Sequence, residues 1–518
     1  MKRTLLSCAA FLGALALNAQ ISLVKDINPG TGDSKPGVNG FFKFNNKLYF
    51  QANDSSGENT GGEKYGSELW VTDGTEEGTM FVQDTREGSI SGGPEGYFEF
   101  NGELYFSANS GSGHELFKLN AAGTGAEPVG GVPGFYSFCE LDGKIYFVNN
   151  QNQADSSLWV FDGTSASQVT NNSEATLGTE VLSGGVSDIA PKTILPYKGK
   201  LYFMATMSLD NASEDFSQNI GYELYSYDPT TSEFALVKDV TPGANTQNDG
   251  AAGSNIASLT IMGDKFYFKA GIDNHLYESD GTADGTIPVS ALTDAGIDGV
   301  LSLFVWNDKL YFEGDNGVVE TGEVADTSSD DQLFMYDPSA NTVTQISSNI
   351  EEDYDPRFYA IVGGDLYYAA KIDDDDTDYS IFRLKNGSNT PELIEATLDY
   401  DCEDLVELNG KLYFNGDDDG LETQVTGAEL YVLDPATLSV KDARLSTARI
   451  YPNPATDYLK VSNELINAPY SIYDVTGKMV KTGVITSDTL NFNLNTGLYI
   501  FSAKTEVGTV TKKLVIKK

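Results

Sequence analysis

The chain holds two histidines, His114 and His275, and three cysteines, Cys8, Cys139 and Cys402, beside 76 acidic residues. That stock decides which chemistry is open. A Ser-His-Asp or Cys-His system needs a histidine within reach of an activated nucleophile. Both histidines stand beside short apolar segments, Glu115-Leu116-Phe117 and Leu276-Tyr277, with neither a nucleophile elbow nor a zinc-ligand spacing. Paired carboxylates can hydrolyse a glycosidic bond without histidine, but 76 acidic residues single out no pair. Clustered carboxylates also suit hard cations. One cluster is Asp373, Asp374, Asp375, Asp376 and Asp378, and the next is Asp417, Asp418, Asp419 and Glu422. A third holds Asp315, Glu320, Glu323, Asp326, Asp330 and Asp331. Asp373 to Asp376 and Asp417 to Asp419 are the candidate calcium ligands, although their spacing matches neither an EF-hand loop nor a glycine-rich nonapeptide repeat. Plain solvated loop charge is the reading preferred for them, with calcium as the alternative. Asp73, Asp162 and Asp280 each precede Gly-Thr, which is turn chemistry: Asp accepts from the backbone two residues on, and Gly takes the positive φ.

These residues hang on a repeat. Asn101-Gly102-Glu103-Leu104-Tyr105-Phe106 returns in eight versions, from Lys47-Leu48-Tyr49-Phe50 to Lys411-Leu412-Tyr413-Phe414. A second signature follows each, clearest as Glu68-Leu69-Trp70-Val71-Thr72-Asp73-Gly74-Thr75, and a third follows in the better copies, as in Phe81-Val82-Gln83-Asp84. Strand A enters a tight turn, Leu-Tyr-Phe is strand B, Glu-Leu-Trp is strand C, and Val-x-Asp is strand D. From Leu48 to Leu412 is 364 residues over seven intervals, or 52 per repeat. Four strands in such a period predict a β-propeller, because one sheet cannot bury both its faces and radial stacking buries them. Ser22 to Gly30 reads as a strand D with nothing before it, so the N-terminal strand is expected to complete the last blade of an eight-bladed ring. Seven blades would need one degenerate repeat. Trp70 and Trp159 are placed as blade core, and Trp306 stands before a tight turn. No amphipathic helix is expected before the C-terminus.

Connection lengths separate the two faces of the ring. The A–B turns are uniformly tight, and the C–D turns are mostly compact. The B–C connections reach from Gln51 to Ser67, Met204 to Tyr222 and Glu313 to Asp331, and a D–A connection runs from Pro242 to Ser254. Insertions therefore collect on the B–C/D–A face, where repeat proteins usually bind.

The formal charge is -43. Such a surface repels nucleic acid and anionic membrane, so neither is an expected partner. Lys2 and Arg3, the apolar stretch Leu5 to Leu17, and Leu17-Asn18-Ala19 before Gln20 read as a signal peptide over residues 1–19. Leu5-Leu6-Ser7-Cys8 lacks the apolar run that lipoprotein anchoring requires. No transmembrane segment is expected in the mature chain. Cys139 and Cys402 lie at different offsets in their repeats and are expected as buried thiols.

The pattern changes after Asp442. Residues 447–518 carry nine basic and five acidic residues, a local +4. Ile450-Tyr451-Pro452-Asn453-Pro454, Ser471 to Lys478 with Gly477, Leu494 to Phe501 with Gly497 and Tyr499, and Lys512-Lys513-Leu514-Val515-Ile516-Lys517-Lys518 follow in order. Alternation and turns predict a small β-sandwich over 450–518, behind a linker at 443–449 and a propeller at 20–442. These blocks resemble the type A C-terminal sorting domain of the type IX secretion system of Bacteroidota. The resemblance implies a two-step export with this domain as address and the translocon as partner. It places recognition on Pro452, Asn453, Pro454, Gly477, Gly497, Tyr499, Lys512, Lys513, Lys517 and Lys518. It also implies a Gram-negative outer surface or the medium as destination. The repeats resemble the ELWxxDGT type found in exported proteins of the same bacteria, and that family brings no catalytic residues. The resulting expectation is a secreted or surface-attached, non-catalytic propeller binding a glycan or protein on its long-loop face. A carboxylate-dependent polysaccharide hydrolase and a calcium-stabilised structural or adhesive protein stand as alternatives.

Overall fold

In seven of the eight A–B turns both central residues take positive φ, as at Asn45 and Asn46 (50° and 61°) or Asn101 and Gly102 (53° and 76°). That backbone twist matches the twist of the flanking strands and closes a two-residue hairpin, which is why Asn, Asp and Gly recur there. The computed structural model describes residues 21–135, 137–149, 157–169, 194–205, 222–242, 244–245, 250–251, 253–271, 273–315, 331–347, 354–372, 378–418, 426–438, 448–474, 478–505 and 509–518. The predicted signal peptide, Asp373 to Asp376, Asp419, Gly477 and most of the 443–449 linker lie outside them.

Two units divide the chain. Among the described residues the larger contains eight four-stranded sheets in chain order. The first contains Phe42–Phe44, Lys47–Asn53, Ser67–Thr72 and Met80–Gln83. The second contains Glu95–Phe100, Glu103–Asn109, His114–Leu119 and Ala126–Pro133. The eighth combines Asp401–Leu408, Lys411–Asp417 and Glu429–Leu433 with the N-terminal strand Ile21–Lys25, which lies beside Glu429–Leu433 as the fourth strand. A short α-helix, Ser290–Ala295, occupies the connection between the fifth and sixth sheets.

Strand B supplies the core. Leu48, Phe50, Phe106, Phe147, Leu201, Phe203, Phe312 and Phe414 have no exposed surface. Each core is shared by two sheets. Leu69 and Phe106 belong to a cluster from the first and second, Ile145 and Phe98 to one from the second and third, and Trp70 and Tyr413 to one from the first and eighth. Trp306 is buried beside Tyr311, while Trp159 is half-buried.

The two sequence signatures interlock between sheets. A Cβ on Gly74 or Gly281 would run into the hydroxyl of Tyr413 or Tyr202, the strand-B tyrosine of the preceding sheet. Both glycines also hold positive φ, 93° and 91°. The Asp-Gly-Thr glycine thus serves a close approach as well as a turn. The Asp does what its type dictates: Asp73 Oδ1 accepts from Thr75 N at 3.0 Å and Oγ1 at 2.7 Å, and Asp280 Oδ1 accepts from Thr282 at 2.9 and 2.7 Å.

Strand A carries a feature absent from the sequence pattern. Register shifts fall at Gly96, Ser258, Ser302, Phe358 and Asp404, all with positive φ near 50–60°. These bulges bend strand A and re-aim its first residues, Glu95 and Arg357 among them.

The smaller unit includes a three-stranded and a four-stranded sheet around one core that contains Leu459, Ile472, Phe501 and Leu514.

Candidate functional site

The D–A connections sew one sheet to the next. Ser34 N donates to Ala428 O of the eighth sheet while Ser34 O accepts from Asn53 N of the first, each at 2.9 Å. Ser254 and Tyr354 repeat the arrangement, with Tyr222 O and Gly271 N, and with Asp331 O and Lys371 N. These connections are therefore each anchored to the sheet before and the sheet after.

The first residue of the Glu-Leu-Trp signature holds these connections from below. Glu68 Oε2 accepts from Thr85 N at 2.8 Å and Thr85 Oγ1 at 2.6 Å, and its Oε1 accepts from Gly92 N at 2.6 Å. Glu223 accepts from Val240 N at 2.7 Å and from the Ser254 hydroxyl. Glu429 accepts from Ile27 N at 2.8 Å, Asn28 N at 3.0 Å and Ser34 Oγ at 2.7 Å. All three are fully buried. Burial pushes Glu68 and Glu223 up to about 7 and Glu429 up to about 8, against the donors that pull them down. Where the glutamate is replaced, neutral bonds tie the same elements: Gln332, in its place, accepts from Ser347 Oγ, and in the seventh sheet, where Ser380 stands there, the connection's Thr397 Oγ1 accepts from Ile381 N. The sequence carried a signal for this role. Glu68 and Glu223 each precede their backbone donor by 17 residues.

The histidines sit on the same face beside carboxylates. His114 Nδ1 lies 3.5 Å from Glu95, and His275 Nε2 lies 3.8 Å from Asp273. Burial raises Glu95 to about 7 and lowers His114. Asp401, beside Asp417 across the strand pair, is also raised to about 7 by burial. Further round the face, Asp355 receives Arg357, Lys371 and the Tyr379 hydroxyl, with the Arg357 guanidinium 4.8 Å over the Tyr379 ring.

Of the calcium candidates in view, Asp418 turns inward and accepts twice from Thr426 N at 3.2 Å, as a loop brace, and Asp417 is half-buried. Among the described residues no group of three His, Cys, Asp or Glu side chains is placed to hold a metal. Cys139 and Cys402 are both buried thiols, outside any disulfide.

Two cavities flank the first sheet, both bordered by the connection from Asp54 to Gly66. One, of about 460 Å³, is lined by Tyr65, Trp70, Phe81, Lys25, Asn59 and Glu77. Tyr65 stacks on Phe81 at 4.7 Å there. The other, of about 380 Å³, opens among Asn28, Ser34, Gln51, Asn53, Ser55 and Ser67.

In the C-terminal unit the sorting blocks converge on the last strand, Thr509–Ile516. Asn453 Nδ2 donates to Lys513 O at 3.1 Å and its Oδ1 accepts from Val515 N at 2.8 Å. Gly497 and Tyr499 lie opposite Ile516 and Leu514. Lys517 N donates to Ala455 O at 2.9 Å, and Lys518 Nζ donates to Asn493 Oδ1 at 2.7 Å. Pro452 and Pro454 both follow cis peptide bonds.

Residues 449–517 match the model of the secretion system C-terminal sorting domain. The chain carries the type IX sorting tail, which implies export to the cell surface or the extracellular space. Among the described residues no helix is long and apolar enough to cross a membrane. A search of curated proteins finds no match to the sequence. Among solved structures, the chain resembles a prolyl endopeptidase at 11% identity and a TM-score of 0.42, over 74% of this chain and 55% of that one. It thus spans about half the length of that enzyme. It resembles PorZ, a surface component of the type IX secretion system of Porphyromonas gingivalis, at 11% identity and a TM-score of 0.22, over 93% and 86%. It also resembles the β-propeller domain of the trilobed protease of Pyrococcus furiosus at 10% identity and a TM-score of 0.38, over 70% and 97%. None of these likenesses bears on activity. The chain is all-β and propeller-like.

Proposed function

We propose that the chain is an exported, non-catalytic binding protein. Residues 20–442 form an eight-bladed propeller whose last blade is completed by the N-terminal strand, and 450–518 form a β-sandwich that addresses it to the type IX translocon. The ligand, a glycan or a protein, is taken on the B–C/D–A face. One observation carries this reading: two-residue turns floor one face, while the cavity of about 380 Å³ opens beside the long connection on the other, at Asp54 to Gly66. The carboxylates support it too. Glu68, Glu223 and Glu429 are the shape of acid–base groups by burial, yet backbone donors occupy them, so they brace loops. Recognition by the translocon falls on the blocks around Asn453, Gly497, Tyr499 and the terminal lysines.

A glycan and surface-protein array probed with the chain lacking residues 1–19 tests the reading. Binding with no release of reducing sugar is the expected result. Release of reducing sugar from a polysaccharide, with no binding partner found, would overturn it in favour of a hydrolase.

A further inference from the structure

We infer that the cavity of about 380 Å³ between the N-terminal connection and the first sheet is a binding subsite for a neutral saccharide of one or two units, or for the end of a longer neutral glycan. The inference rests on the binding role proposed above and fixes where and what. Its lining is made of amides and hydroxyls. Gln51 is nine-tenths buried, and its Oε1 is held by Asn39 Nδ2 at 2.7 Å while its own amide nitrogen donates to no group among the described residues. Asn53 Oδ1 is buried without a donor. Ser55 and Ser67 add hydroxyls at the wall. A sugar hydroxyl donates and accepts at once, and so answers a free amide N–H and a free carbonyl oxygen together.

Charge argues for a neutral ligand. In a chain of formal charge -43, this cavity is walled by one acid and one base, Asp33 and Lys35, which lie 3.8 Å apart. An anion would find no surplus cation there and a cation no surplus carboxylate. The walls are also fixed in advance. Asn28 donates to Asp33 O at 3.1 Å and accepts from Ser56 N at 3.1 Å. A Cβ on Gly32 would come within 2.6 Å of Asn28 Nδ2, so a larger residue there would have to displace that amide. Ser34, beneath, is tied to Ala428 O and Glu429. Preorganised polar walls lower the ordering cost that otherwise weakens sugar binding.

Saturation-transfer NMR and calorimetry on the whole chain lacking residues 1–19 test the inference. The probes are glucose, galactose, mannose, N-acetylglucosamine, maltose and cellobiose, with galacturonic acid as the anionic comparison. At least one neutral sugar should bind, and Gln51→Ala and Ser55→Ala should each weaken it about tenfold, the value of one or two lost hydrogen bonds. Ser55→Ala, at the exposed wall, should do so with an unchanged melting temperature. Binding of galacturonic acid alone would overturn the inference. So would sugar binding that both variants leave untouched, and that result would leave the broader binding role standing. No binding to any probe, together with an empty array, would remove both.

Discussion

Glu429 makes the ring's closure measurable. It is the one clamp whose donors come from the far end of the sequence: Ile27 lies 402 residues away and Ser34 lies 395 away. Replacing it with alanine leaves the Ile27 and Asn28 N–H groups buried without an acceptor, while the Ser34 hydroxyl keeps Ala428 O. Each orphaned donor costs about 1–3 kcal/mol, so Glu429→Ala should lose about 3–5 kcal/mol. At roughly 2 °C per kcal/mol for a unit this large, the melting temperature should fall by about 6–10 °C. The pH dependence gives a second reading. Burial, reinforced by Asp26, raises Glu429 from 4.5 to about 8. Below about pH 4.5 the carboxyl is neutral in folded and unfolded chains alike, and its contribution to stability is whole. Between there and about 8 the unfolded chain releases the proton while the folded chain holds it. That contribution is therefore lost as pH rises, by up to about 1.4 kcal/mol per pH unit. Glu429→Gln cannot titrate, so its deficit against the wild type should shrink from pH 5 to pH 8. Differential scanning fluorimetry across that range reads both effects. An alanine variant melting within about 1 °C of the wild type, or glutamine and wild-type curves running parallel in pH, would refute the clamp.

The other predictions follow from the same contacts. Gly74→Ala should destabilise by about 2 kcal/mol, because the new methyl meets the Tyr413 hydroxyl and the backbone keeps φ at 93°; adding Tyr413→Phe should restore part of the loss in a denaturant double-mutant cycle, and strictly additive losses would break the link. Asn453→Ala removes both side-chain bonds to the last strand, so secretion of a reporter fused to residues 443–518 in a type IX host should fall severalfold, and undiminished secretion would separate that contact from sorting. With residues 1–19 removed, thiol titration should count none in the native chain and two after unfolding, for Cys139 and Cys402; one count lost in the unfolded, unreduced chain would mean oxidation. Millimolar calcium against chelator should leave the melting temperature within about 1 °C, and a clear rise would return ligation to the acidic loops.

Much of this architecture is legible because the repeat writes the same physics eight times. Leu-Tyr-Phe alternates with period two, so Leu48 and Phe50 fall on one buried face of their sheet while Tyr49 packs toward the other. Asn-Gly and Asp-Gly-Thr announce their turns through backbone chemistry that depends on no distant partner. What escapes the sequence depends on a second segment. The Asp-Gly-Thr glycine reads as turn chemistry alone until Tyr413 is seen against Gly74. Phe358 holds positive φ at a bulge although its residue type disfavours that conformation; the strand pairing imposes it.

The loop face shows the same division more sharply. Loop length alone pointed to that face, and acidic content pointed to its Asp clusters. The side chains that make a cavity are instead neutral, Gln51 and Asn53, placed directly after the constant Leu-Tyr-Phe where strand B emerges. The corresponding position in the other sheets holds Ser107, Val148, Met204, Lys269, Glu313, Ala369 and Asn415, so the repeat changes its chemistry directly after a constant Leu-Tyr-Phe. Strand B is rigid and its preceding residues are core, and a side chain in that position is held firmly whatever its type. On the binding role proposed above, a scaffold that holds such positions while leaving their identities free would alter what it binds without altering how it folds.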